Sequence, residues 1–208
     1  VGWGYDDDSD EPEIREAEGG LEQLRMVRQW MRQSLRSPAY RTLTPRMILR
    51  LHQVAMQDIL PNAGRWRTSD VEIFGSHHEP PPYVDVDRLV QDVCTFVNEY
   101  DAEDESEAMF LAAFVMWKIA WIHPFDDGNG RTARAVSYLI MCQRLGKELG
   151  GESPVPQRIK YAPIAYVRAL EAADRAWASG VIDVSRLQHL IEFCLTAQLR
   201  NDPPTLPD

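Results

Sequence analysis

The segment from Met109 to Ile122 constrains this chain most, because it is apolar nearly all round and too long for a strand. A helix without a polar face belongs at the centre of a bundle, wrapped by other helices. Lys118 interrupts it and it is too short to cross a bilayer, so the expectation is a buried core helix over Glu107 to Ile122. His123-Pro124 should end it, since the residue before a proline is disfavoured in the α region. A polar loop follows, and a second helical pattern then runs to Leu145 and stops at Gly146.

The remaining segments supply partners for such a core. Leu21, Leu24, Val27, Met31 and Leu35 recur at intervals of three or four and predict a helix over Glu13 to Leu35. Thr44-Pro45 reads as an N-cap with proline at the first helical position, and Ile48, Leu51, Ala55 and Ile59 carry the buried face of the next helix. A helix over Val86 to Tyr100, capped by Asp85 or Asp87, and two more over Arg158 to Ser179 and Val184 to Leu199 complete the set. Between them, Arg65 to Gly75 alternates loosely and runs into Pro80-Pro81-Pro82, which predicts a short β-hairpin arm and an extended segment. The expected fold is all-α with one small β-hairpin. Residues 1–12 read as an acidic tail in which Trp3 and Tyr5 could dock on the domain, 13–200 as one domain, and 201–208 as a Pro-rich tail.

Composition excludes several classes. Apolar residues make up 44% and charged residues 26%, as in ordinary globular chains, and the net charge of −10 with no Lys/Arg cluster argues against nucleic acid as a partner. Cys94, Cys142 and Cys194 lie far apart in apolar helical patterns, so free thiols in a reducing, cytoplasmic setting are expected. The acidic start lacks the basic region of a signal peptide, and no membrane association is expected.

Chemistry concentrates between His123 and Arg134. His123, at a helix exit and titrating near neutrality, can take a proton from a hydroxyl, although capping or packing is the common role of such a histidine. Asp126 and Asp127 either cap the following helix or leave one carboxylate for Mg²⁺, which is usually held by one or two carboxylates plus phosphate oxygens and waters. Gly128-Asn129-Gly130 opens a helix whose free N–H groups attract anions. Arg131 and Arg134 share one face of its first turn, where cations oppose the helix dipole. A polyphosphate offsets that opposition, and salt bridges to acidic neighbours are the alternative for either arginine singly.

The run His123-Pro124-Phe125-Asp126-Asp127-Gly128-Asn129-Gly130-Arg131-Thr132-Ala133-Arg134 resembles the signature of the Fic family, His-x-Phe-x-Asp/Glu-Gly-Asn-Gly-Arg-x-x-Arg, without a departure. The resemblance extends to Leu43 through His52, Gly64 to Arg67 and Val71 to Pro82, and covers roughly residues 40–200. It implies an enzyme that transfers AMP from ATP to a Ser, Thr or Tyr hydroxyl of a target protein. By that resemblance His123 is the base, and Asp127 binds the Mg²⁺ bridging the phosphates. Gly128, Asn129 and Gly130 cradle them, and Arg131 and Arg134 hold the outer phosphates. Val71, Glu72, Ile73, Phe74, Gly75, Ser76 and His77 resemble the family's flap, which clamps the target backbone as an added strand. Gly130 stands where phosphorylating relatives carry lysine, and Gly128 where phosphocholine-transferring ones carry alanine, which favours nucleotidyl transfer.

Relatives are often restrained by a glutamate that pairs with the second arginine in a Ser/Thr-x-x-x-Glu-Gly/Asn motif. Ile14 to Gly19 offers Glu18 and Gly19 but has Ile14 in the hydroxyl position, and a solvated helix residue is the plain reading of Glu18. A separate inhibitor protein or a homodimer is the other source of restraint. Two alternatives stay open: a nucleotide-binding regulatory or scaffold protein with little turnover, and a transferase using another donor.

Overall fold

The computed structural model describes residues 11–203. Among the described residues there are eight α-helices: α1 (Glu11–Arg36), α2 (Pro45–Met56), α3 (Val86–Glu99), α4 (Glu105–Ile122), α5 (Asn129–Leu145), α6 (Val155–Lys160), α7 (Pro163–Ala178) and α8 (Ser185–Arg200). Short 3-10 turns at Pro38–Arg41 and Tyr83–Asp85 lead into α2 and α3.

The apolar helix sits where its composition demands. From Ala108 to Ile119 only Phe110 escapes full burial. α4 packs most extensively against α5, its antiparallel neighbour across a tight loop, and α3, α7 and α8 cover its other sides. α5 in turn lies under α1, α2 and α6. Asp104 caps α4 by accepting the Glu107 N–H at 2.9 Å, which satisfies a donor that the helix start leaves open, and Glu107 reaches back to the N–H of Glu103, the residue before the cap, at 2.6 Å. Thr44 caps α2 as its sequence indicates, accepting the Met47 N–H at 3.3 Å. No helix among the described residues is long and apolar enough to cross a membrane. Cys94, Cys142 and Cys194 are buried free thiols.

Four expectations need correction. First, the β-hairpin is absent: among the described residues there is no strand, and Val71 to Pro82 is an extended loop with one turn, Ser76 N–H to Ile73 O at 3.1 Å. Pro80, Pro81 and Pro82 carry no N–H, so the return arm cannot donate to a ladder. Second, the helix expected over 158–179 is two helices, because Pro163 cannot donate to the preceding turn and starts α7 afresh. Third, α1 begins at Glu11, inside the stretch read as a tail, while Trp3 and Tyr5 lie outside the described residues. Fourth, Asp85 stands at the N-cap of α3 without a side-chain cap bond and instead pairs with Arg88 at 3.1 Å. At the C-terminal end Arg158 holds the departing chain, donating to Asp202 O at 2.6 Å and to Pro203 O at 3.4 Å.

Candidate active site

The loop between α4 and α5 is built around Phe125. Its ring is fully buried, stacks on His52 of α2 with centroids 3.7 Å apart and planes 2° from parallel, and meets Trp66 at 5.1 Å. Asn129, itself buried, closes the loop from inside: its Oδ1 accepts the Phe125 N–H at 2.9 Å and its Nδ2 donates to Phe125 O at 2.8 Å. The Asn129 side chain is therefore occupied, and what this residue offers a phosphate is its main-chain N–H.

His123 ends α4 in the left-handed region, φ 51° and ψ 59°, one of two non-glycine residues with positive φ among those described. Its Nδ1 lies 3.2 Å from Ala120 O, an acceptor, so Nδ1 carries the proton and Nε2 is the basic nitrogen. Burial lowers its pKa from the ordinary histidine value, and the Arg67 and His78 charges add to this against the Ala120 bond and Asp127.

Two exposed carboxylates follow. Asp126 accepts a hydrogen bond from Asn62, and Asp127 Oδ1 accepts the Gly128 N–H at 2.6 Å. Asp127 stands beside no other cluster: among the described residues no three acidic, histidine or cysteine groups could hold a metal ion together. One exposed carboxylate is the donor set that Mg²⁺ accepts when phosphates and water complete its shell. Asp127 thus fits Mg²⁺ brought with a nucleotide, not a resident all-protein site.

Gly128 has φ 76°, and a Cβ there would stand 2.8 Å from Met56 Sδ and 3.2 Å from His52 Nε2, so both backbone and space require glycine. Beyond it α5 opens with free N–H groups, and the Arg134 guanidinium folds back over this end, NH1 lying 3.2 Å from where a Gly130 Cβ would be. Arg134 makes no hydrogen bond or ion pair among the described residues, and its guanidinium stands 5.9 Å from the centroid of Tyr166. Burial lowers its pKa, the direction expected for a charge held without a partner. Arg131 is engaged, with NH2 2.8 Å from Glu16 of α1 and NH1 3.1 Å from Ala55 O. A cavity of about 300 Å³ between α1, α5 and α6 is lined by both arginines together with Glu16, Lys160 and Tyr161.

A sequence profile of the Fic/DOC family matches residues 42–141, which contain this loop and the elements that hold it. This chain carries a Fic-family domain. Similar curated proteins include a protein adenylyltransferase Fic of Nematostella vectensis, 34% identical over 95 residues, 45% of this chain and 22% of that protein. Protein adenylyltransferase fic-1 of Caenorhabditis elegans is 35% identical over 95 residues, 45% of this chain and 18% of that one. This chain therefore spans about a fifth of the length of these relatives. In fold it resembles residues 134–508 of C. elegans Fic-1, with TM-score 0.67 and 24% identity over 96% of this chain and 53% of that one. A Fic family protein from Desulfovibrio desulfuricans G20 superposes with TM-score 0.66 and 20% identity, covering 96% and 55%.

In this Fic domain the loop from His123 to Arg134 is continuous, and the segment that resembles the family's flap is tied beside it by Arg67 and His78. Val71 and Ile73 are half-buried, Glu72, Gly75 and His77 exposed, and Phe74 stands entirely in solvent. Ser76 and His77 border a cleft of about 470 Å³ against Glu171, Asp174 and Arg175 of α7. Glu18 is exposed and makes no ion pair among the described residues; the carboxylate of α1 that reaches Arg131 is Glu16.

Residues outside the motif also hold this site. His52 donates from Nε2 to Asp127 O at 2.9 Å and accepts the Gly64 N–H on Nδ1 at 2.9 Å, so it is neutral with a fixed tautomer. Burial lowers its pKa accordingly. Arg67 and His78 tie the flap to the end of α4. The sequence points to these three residues only through the family resemblance, whose further stretches contain His52, Arg67 and His78.

Proposed function

We propose that this chain is a Mg²⁺-dependent protein adenylyltransferase that moves AMP from ATP to a hydroxyl side chain of a target protein. The observation that carries the reading is the base: His123 presents an unprotonated Nε2 from a loop that runs directly into an anion-accepting helix start.

The chain's own groups divide the work. His123 Nε2 takes the hydroxyl proton as the target oxygen forms its bond to the α-phosphorus. The bond between that phosphorus and the bridging oxygen breaks, and pyrophosphate leaves with the electron pair. Main-chain N–H groups of the α5 first turn face the phosphates, and Arg134, with no hydrogen-bond or ion-pair partner among the described residues, takes up the charge that develops on the leaving group. Arg131 can do the same once released from Glu16. Asp127 would hold Mg²⁺, which supplies charge neutralisation between the phosphates. The flap, whose main chain is unpaired over most of Val71 to Glu79, presents free N–H and C=O groups to an extended target segment. Since in-line transfer is mostly positioning, the buried scaffold of Phe125 and Asn129 is part of the catalyst.

Incubation with labelled ATP, Mg²⁺ and cell lysate is expected to label proteins, with loss of label in His123→Ala. Equal labelling by that variant would remove His123 from the role. The Glu16–Arg131 pair favours a second reading, a nucleotide-binding Fic protein with little turnover. Tight ATP binding without transfer to any lysate protein would select it.

A further inference from the structure

We infer that Arg67 is a positioning residue that locks the flap to the backbone of His123, so that the target hydroxyl and the base share one register. The inference rests on the adenylyltransferase reading for its kinetic part and on geometry for the rest.

Arg67 is only 2% exposed, although it sits in a loop. Its guanidinium donates in two directions. Toward the loop after α4, Nε donates to His123 O at 2.8 Å and NH2 to Ile122 O at 3.4 Å, while its main-chain N–H donates to Pro124 O at 2.9 Å. Toward the flap, NH1 donates to Ser69 O at 2.9 Å, NH2 to Pro81 O at 2.5 Å, and Asp70 Oδ1 stands 3.5 Å from NH1. Ser69 and Pro81 flank Val71 to Glu79, so one planar group holds both roots of the flap. Burial lowers the Arg67 pKa against the influence of Asp70, and the carbonyls at its fork supply the hydrogen bonds that water no longer does.

The contacted carbonyl is the informative one. His123 occupies the left-handed region, which a residue with a Cβ adopts only when its surroundings over-determine it. The Arg67 bond to His123 O, with the neighbouring bonds to Ile122 O and Pro124 O, supplies that determination. A lysine could keep the charge but not the fork, because its single ammonium cannot span five carbonyl and carboxylate partners in a plane. His78 makes a further link from the flap, Nε2 donating to Trp121 O at 2.7 Å, yet it reaches neither His123 nor the flap's first root.

The test compares wild type, Arg67→Lys and Asp70→Ala in the same chain, with labelled ATP, a modified target or self-modification, and ¹⁵N-histidine NMR. Arg67→Lys is expected to keep ATP affinity within about two-fold and to lower kcat roughly 10- to 100-fold, the penalty of misplaced reacting groups. Its His123 ring should change from the single Nδ1–H tautomer to a mixture, a readout that needs no turnover. Asp70→Ala, at a side chain 72% exposed, removes the contact to Arg67 and the acceptor of the Tyr83 N–H at 2.8 Å, both on the flap side, and should raise KM for the protein target several-fold with kcat nearly kept. Unchanged kinetics in both variants together with an unchanged His123 tautomer would overturn the inference. If Arg67→Lys does not fold, the Asp70→Ala KM decides. A wild type that transfers nothing would refute the enzymatic reading instead, and the tautomer comparison would still judge Arg67.

Discussion

Glu16 Oε2 and Arg131 NH2 stand 2.8 Å apart, joining α1 to the first turn of α5. The approach depends on Gly19: a Cβ there would fall 2.4 Å from Ala55 O, so only glycine lets α1 lie this close to α2. Gln23 fixes the same crossing by donating to Leu51 O at 3.1 Å. Sequence spacing had drawn attention to Glu18-Gly19; the glycine proves to be the contact and the glutamate faces solvent.

Removing the pair should release Arg131 for phosphate. The Glu16 side chain is half exposed, so the pair is worth about 0.2–1 kcal/mol after solvent screening. Glu16→Gln is therefore expected to raise ATP affinity or self-labelling by up to about five-fold, the factor that energy allows. Glu18→Gly should leave both within error. A larger response from Glu18 than from Glu16 would show that α1 adopts a different register when nucleotide binds.

Gly128→Ala should be among the most damaging single substitutions outside the core. The left-handed backbone costs a residue with a Cβ of order 1–3 kcal/mol, and Met56 Sδ at 2.8 Å must also move. Denaturant unfolding should show a loss of about that size, with ATP binding weakened as well. Adding Met56→Ala should recover only the part due to the clash.

What was legible in the sequence was whatever rests on period or on a covalent rule. α4 was placed at the centre because it lacks a polar face, and Thr44-Pro45 and His123-Pro124 marked boundaries the structure keeps. The flap was misread because alternation is necessary for a ladder but not sufficient; donors on both arms are needed, and three prolines remove them. The roles of Arg67 and His52 were illegible for another reason. Their partners are main-chain atoms of Pro81, His123, Gly64 and Asp127, and a main-chain carbonyl has no signature in sequence.

The pH dependence of transfer should be one-sided in the acid range. His123 has its pKa lowered below the ordinary 6.5, chiefly by burial. Its base form therefore predominates at neutrality, and the rate should be level near pH ~7 and fall as pH drops below 6.5. Stability follows the same sign. Between the lowered value and 6.5 the unfolded chain binds more protons, so the contribution is full above 6.5 and is lost as pH falls through that window. His52, also lowered by burial, acts in the same direction. A pH–rate profile with its acid limb centred above 6.5 would contradict the assignment of His123 as base.

Lys118 offers a test of the core itself. It is 9% exposed, and its amino group stands 3.6 Å from the centroid of Trp177, 4.2 Å from Trp117 and 4.7 Å from Trp121. Burial pushes its pKa down from 10.5 to about 8, against the pull of Asp174. Between those values the unfolded chain holds the proton more tightly, so stability rises with pH across the window and the charged form is disfavoured below it. Attraction to the three indoles offsets part of this, leaving a net of about 1–2 kcal/mol. Lys118→Met should be more stable than wild type by that amount near neutrality, and the difference should shrink as pH approaches 10.5.

Asn129 separates loop geometry from phosphate binding. Its amide exchanges two hydrogen bonds with the Phe125 main chain in a buried setting. Asn129→Ala leaves the Phe125 N–H and C=O unpaired and should cost about 1–3 kcal/mol of stability. Asn129→Asp keeps the acceptor for the Phe125 N–H but sets an anion against Phe125 O at 2.8 Å and beside the phosphate turn. It should therefore lose more nucleotide affinity than the alanine variant. If the side chain bound phosphate directly and did not hold the loop, alanine would weaken ATP binding at unchanged stability. Thermal unfolding measured beside ATP titration separates the two, because only the loop-holding role makes stability and affinity fall together in Asn129→Ala.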